Sequence, residues 1–153
     1  MFRISLIIML LFGGILKLFN FKYTRKTILE LKFFPKIIEK YIGVVLPCFE
    51  IIMSFTIGYL KNNLVYAPVL AYLLFFIGMN LTFMYEDKKC CCYGKILPSK
   101  LGKGGVIHYL YWVIIVALAI IYRGDEMTIP NLMVAVLLFV NSLLVRRVLE
   151  VTL

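Results

Sequence analysis

Charge is what this chain has least of. Only 16% of its 153 residues are Asp, Glu, Lys or Arg, against about a quarter in a soluble domain, and 63% are hydrophobic. With a mean hydropathy of +0.96, that deficit excludes an ordinary soluble globular domain. Histidine is reduced to one residue, His108, and no glycine-rich phosphate loop is present, so no nucleotide-binding, haem or hydrolase constellation can be assembled. A second spaced cysteine pair is missing as well, which argues against a structural zinc site. The apolar segments lack period-two alternation, which excludes a membrane β-barrel. No internal repeat or low-complexity tract occurs.

What is abundant is apolar sequence in blocks. Five stand out, at 2–19, 41–60, 64–85, 105–122 and 129–145. Each approaches the roughly 20 residues that a helix needs to cross a hydrocarbon core, and only helices or closed barrels satisfy their backbone there. The expected fold is therefore all-α: one integral membrane domain, a polytopic bundle of four to five spans, the fifth being the shortest. The N-terminus resembles a signal peptide, but it has no small-x-small cleavage site and stays apolar past Gly13-Gly14, so it reads as a retained first span. Between the first two blocks, Thr27-Ile28-Leu29-Glu30 matches a capping box and predicts the start of a short amphipathic helix. Phe33-Phe34 would then lie among the headgroups, and Pro35 would end that helix or begin the second span.

The formal charge of +9 has its cations between apolar blocks, where anionic lipid headgroups explain them better than nucleic acid does. With the N-terminus on face A, five spans put the 20–40 segment, the loop after the third span and the C-terminus on face B. That face collects Lys22, Arg25, Lys26, Lys32, Lys36, Lys40, Lys88, Lys89, Lys95, Lys100, Lys103, Arg146 and Arg147. Face A has Arg3, Lys61 and Arg123. The positive-inside rule makes B cytoplasmic.

Polar residues inside the blocks are the candidate functional groups. Glu50 falls near mid-membrane, where a carboxylate marks either a functional site or a buried pair tying two helices together. Pro47, one turn earlier on the same face, cannot donate a backbone hydrogen bond and predicts a kink. Lys17 lies within a turn of face B, placed for snorkelling. Asn80 is placed for an interhelical hydrogen bond. His108 opens the fourth span at the same face as an interfacial hydrogen-bonder or a ligand. Cys48, ~10 Å into the second span, reads as a small buried hydrophobe or as a resolving thiol should the loop dip inward.

Lys17, Asn80 and His108 thus map to the boundary that carries three consecutive thiols, Cys90-Cys91-Cys92, followed by Tyr93-Gly94. A nearby cation raises the thiolate fraction, the reactive form. Adjacent cysteines have alpha carbons ~3.8 Å apart, too close for an unstrained disulfide. A Cys90–Cys92 bridge suits a tight turn better and would be readily reduced. Palmitoylation, or thiols merely tolerated at an interface, is the alternative.

Taken together, Gly14-Ile15-Leu16-Lys17-Leu18, Phe34-Pro35, Leu46-Pro47-Cys48-Phe49-Glu50, Asn80-Leu81 and the C-x-C-aromatic-Gly run from Cys90 to Gly94 resemble the MauE family of methylamine-utilisation membrane proteins, within the DoxX-like group. The resemblance covers residues 10–95 or so. It implies a small helical membrane protein of redox maturation, a component of thiol–disulfide oxidoreduction that works with a thioredoxin-like protein on an exported substrate. Cys90 and Cys92 would be the exchange pair and Cys91 a competing thiol, with Lys17, Pro47 and Glu50 as family positions. Cys91 itself and the His108-Tyr109 start of the fourth span depart from the pattern. Two other readings stand beside this one: a non-enzymatic immunity or accessory subunit, and a quinone-linked oxidoreductase subunit using Glu50 and His108. Exported substrates place thiol chemistry on the outer face, opposite to the face that the charge bias selects for the cysteines.

Overall fold

The fold is described from a computed structural model, in which residues 1–31, 36–60, 62–86, 88–90, 99–122 and 128–152 are defined. Six helices account for most of them: α1 (Phe2–Phe19), α2 (Phe21–Leu31), α3 (Lys36–Tyr59), α4 (Tyr66–Thr82), α5 (Lys103–Ile121) and α6 (Ile129–Thr152). A short 3-10 turn, Asn63–Val65, leads into α4. All except α2 are long and apolar enough to cross a bilayer. Their outward faces stay apolar, with Phe55, Ile114, Leu137 and Leu144 exposed, as lipid contact requires. The chain is a multi-pass membrane protein.

The most enclosed span is α1, which packs most extensively on α3 and also touches α5 and α6. Its closeness to α3 has a local cause. A β-carbon added at Gly14 would lie 2.8 Å from Ile51 Cγ1 and 3.0 Å from the Pro47 carbonyl oxygen, so only glycine lets these backbones meet. Despite Pro47, α3 stays helical throughout. Leu6, Leu10, Val69, Leu73, Phe76, Trp112 and Val116 fill the middle of the bundle. At face A, the Arg3 side chain donates to the carbonyls of Ile57, Gly58 and Leu60, with 3.0 Å to Gly58. It thereby satisfies acceptors that the C-terminus of α3 leaves open.

Two expectations change. The helix at face B is α2, which begins at Phe21 rather than at a cap on Thr27. The chain turns at Asn20, whose side chain donates to the Leu16 carbonyl at 3.1 Å, and Thr24 N already donates to the Asn20 carbonyl at 2.9 Å. Thr27 is consequently an interior residue, and with Thr24, Ile28 and Leu31 it forms the buried stripe of an amphipathic helix. The fifth span is not short either: α6 has 24 residues and runs past Arg146 and Arg147. Arg146 is only 3% exposed and its Nε donates to Glu150 Oε1 at 2.9 Å, so the helix carries its charge inward rather than ending before it. Phe33, Phe34 and Pro35, with Lys32, Lys61 and Arg123, lie outside the described residues.

Candidate functional site

Where α4 ends at face B, the chain makes turns through Phe83 and Glu86 and enters a small antiparallel hairpin, β1 (Lys89–Cys90) and β2 (Ser99–Lys100). Lys89 pairs with Lys100 and Cys90 with Ser99, and Leu101 N donates to the Lys88 carbonyl at 2.8 Å. The hairpin turns Cys90 inward. This residue is fully buried, disulfide-bonded, and part of the same continuous core as Leu31, Phe83 and Leu101. Its bonding partner, with Cys91, Cys92, Tyr93 and Gly94, lies outside the described residues. Lys88 sits over the Phe83 ring, 4.7 Å from its centroid, and pairs with Glu86 at 2.9 Å. Two cavities flank the hairpin. One, of about 510 Å³, is bordered by Tyr85, Glu86, Lys100, Lys103 and Glu150. The other, of about 210 Å³, lies against α2 at Thr27, Glu30, Lys88 and Lys89. Cys48, on α3, is a free and half-buried thiol.

The expected polar residues fall into three local groups rather than one. Lys17 does not snorkel. At 1% exposure it turns into the bundle, where its Nζ donates to Glu50 Oε1, and the Tyr72 hydroxyl donates to that same oxygen. The Phe76 ring lies 5.8 Å from the ammonium. Three helices, α1, α3 and α4, thus share one buried charge pair. The second carboxylate oxygen of Glu50 has no hydrogen-bond partner among the described residues and faces Gly13, where an added β-carbon would meet it at 3.5 Å, an ordinary contact distance.

Asn80 forms the second group. Its Nδ2 donates to the Phe76 carbonyl at 2.7 Å, and its Oδ1 accepts from Gly102 N at 3.2 Å, at the foot of the hairpin. Gly102 has φ of +146°, a conformation that favours glycine.

His108 makes the third, between α5 and α6. Its Nδ1 is 3.3 Å from the Ser142 carbonyl oxygen, and its ring meets Tyr109 and Trp112 edge-on. Glu50 on α3 and His108 on α5 thus take part in different polar groups. No group of three or more metal-binding side chains converges among the described residues.

Sequence reasoning passed over Tyr72, Gly102 and Ser142, and counted Arg146 only as a face-B cation. Aromatics and small residues in apolar runs carry no signal of their partners. Arg146 alone was detectable, through its i,i+4 spacing to Glu150.

No curated protein and no solved structure matches the chain. One family model does, that of the methylamine utilisation protein MauE, over residues 1–123. That match spans α1 to α5 and takes in the Lys17–Glu50 pair, Asn80 and the cysteine hairpin, so the chain belongs to the MauE family of integral membrane proteins.

Proposed function

We propose that the protein exchanges disulfides at face B, through Cys90 and Cys92, with a thioredoxin-fold partner that serves an exported substrate. The observation that carries this reading is the oxidised, buried Cys90 on a hairpin flanked by two cavities at the mouth of the bundle. Lys89 and Lys100 face each other in the register next to Cys90, with Lys88 one residue before Lys89, and this local positive charge favours the thiolate once the bond opens. In the reduced pair, one thiolate attacks a sulfur of the partner's disulfide and expels a partner thiolate. The second cysteine then attacks the mixed disulfide. A bond closes between Cys90 and Cys92, two electrons and two protons pass to the partner, and the partner leaves as a dithiol. The reverse sequence oxidises a reduced partner. Cys91 competes for the mixed disulfide. Methylamine metabolism as the physiological setting rests on the family's description alone.

The test is replacement of Cys90 and Cys92 by serine. Loss of substrate maturation with the protein still in the membrane is the expected result. Retained maturation removes the exchange reading and leaves the accessory-subunit reading, which the basic face supports. Labelling with a membrane-impermeant thiol reagent, before and after reduction, reads the face. Labelling in intact cells places exchange outside; labelling only after permeabilisation places face B in the cytoplasm and requires electrons to cross the bundle.

A further inference from the structure

One side chain fastens the hairpin that carries Cys90 to the helices beneath it. Asn80 is fully buried near the end of α4, and its two polar ends do different work. Nδ2 closes back on the Phe76 carbonyl within α4, whereas Oδ1 reaches across to Gly102 N, 22 residues on, where β2 hands the chain to α5. One residue earlier, Leu101 N donates to the Lys88 carbonyl and closes the hairpin two residues from Cys90. The fit is specific from the far side too. A β-carbon at Gly105 would fall 1.8 Å from Asn80 Oδ1 and 2.6 Å from its Cγ, so the first turn of α5 has been kept bare to receive the carboxamide. Gly102 N is one of the donors at the start of α5, and the N-cap supplies no side chain of its own.

We propose that Asn80 is a positioning residue for the Cys90 disulfide: its carboxamide latches the return strand of the hairpin to α4 and so sets how readily the buried bond is attacked. The inference rests on the reading of Cys90 as an exchanging thiol. With the latch closed, Cys90 stays in the core and an external thiol reaches it slowly. With the latch released, the strand lifts and the bond is exposed to attack.

The experiment uses the full chain in detergent with Cys48→Ser, and any thiol still free in the triplet is blocked with N-ethylmaleimide before reduction, so that only the disulfide reports. Reduction by a fixed concentration of dithiothreitol is followed by trapping released thiols with a mass-tagged maleimide. Asn80→Ala is expected to speed reduction about five- to tenfold, the worth of one hydrogen bond. Gly105→Ala, which displaces the carboxamide without removing it, should do the same. Asn80→Asp, protonated in this buried setting, keeps an acceptor for Gly102 N and a donor for the Phe76 carbonyl, and should stay within about twofold of the parent. Asn80→Ser keeps a hydroxyl for the Phe76 carbonyl but is too short to reach Gly102, so it should follow alanine; it supplies the reading if Asn80→Ala does not fold. Parental rates in the alanine or serine variant, with helical circular dichroism intact, overturn the latch, as does an aspartate variant as fast as alanine. Those outcomes leave the exchange reading untouched. Conversely, serine at Cys90 and Cys92 with function retained removes the exchange reading, while the reduction rates still judge the latch.

Discussion

At the scale of single residues, the Lys17–Glu50 pair ties α1 to α3 through one buried ion pair. Two opposite charges in a low-dielectric interior attract strongly, but each has lost its hydration, so the pair is close to neutral in net stability while either half alone is costly. Lys17→Met should therefore destabilise the protein by about 3–5 kcal/mol, and Glu50→Gln by a comparable amount through the stranded ammonium. The double variant should recover most of the loss. Thermal unfolding in detergent, run as a double-mutant cycle, measures this; additive losses would show that the two side chains do not act as a pair. Tyr72→Phe removes one donor from Glu50 Oε1 and should cost about 1 kcal/mol. Each of Lys17 and Glu50 was legible in the sequence as a polar residue within an apolar block. Their pairing was not, because it joins positions 33 residues apart and depends on how α1 is rotated against α3.

Between elements, the contact of α1 with α3 turns on which of two adjacent glycines makes the closer approach to α3. Gly14 meets Ile51 and the Pro47 backbone, whereas the nearest atom to a β-carbon at Gly13 is Glu50 Oε2 at 3.5 Å. Gly14→Ala should push the helices apart and cost about 1–3 kcal/mol. Gly13→Ala should be tolerated, and Gly78→Ala, with nothing within 4 Å, should be neutral or mildly stabilising through helix propensity. Unfolding midpoints of the three variants check the order; equal effects at Gly13 and Gly14 would contradict the close-approach argument. For α2, the buried stripe predicts that Ile28→Asp detaches the helix from the bundle, read as new protease sensitivity in the 21–31 segment. The amphipathic character of that segment was visible beforehand. Its start was misplaced because the capping box at Thr27 is a local pattern, and the turn at Asn20 had already begun the helix.

On the scale of the whole molecule, the five spans bring α2, the Cys90 hairpin and the C-terminal part of α6 to one end of the bundle. They also distribute the polar residues near that end among different helix pairs: Lys17 to Glu50 and Tyr72, Asn80 to Gly102, His108 to the Ser142 carbonyl. Of the three, the Asn80 contact is the one that reaches the foot of the hairpin carrying Cys90. Exchange should accordingly depend more on Lys88, Lys89 and Lys100 than on His108. Replacing the three lysines by glutamine is expected to slow thiol exchange several-fold near neutral pH, with His108→Gln leaving the rate near the parent. Stopped alkylation time courses distinguish the two, and a dominant effect at His108 would reverse the assignment.

Sequence alone determined that this is a helical membrane protein of four to five spans. Hydropathy is a local property, and alternation of spans follows from it by counting. The family too was legible, since its motif residues are spaced along the chain rather than assembled in space. Only the tertiary structure decided that Lys17 turns inward to Glu50 and Tyr72, that α6 continues through Arg146, and that Asn80 holds the foot of the cysteine hairpin. Each of these depends on the rotation and depth of one helix against another. Those are set by interdigitating side chains and by bare glycine surfaces at Gly14 and Gly105, which a linear pattern does not encode.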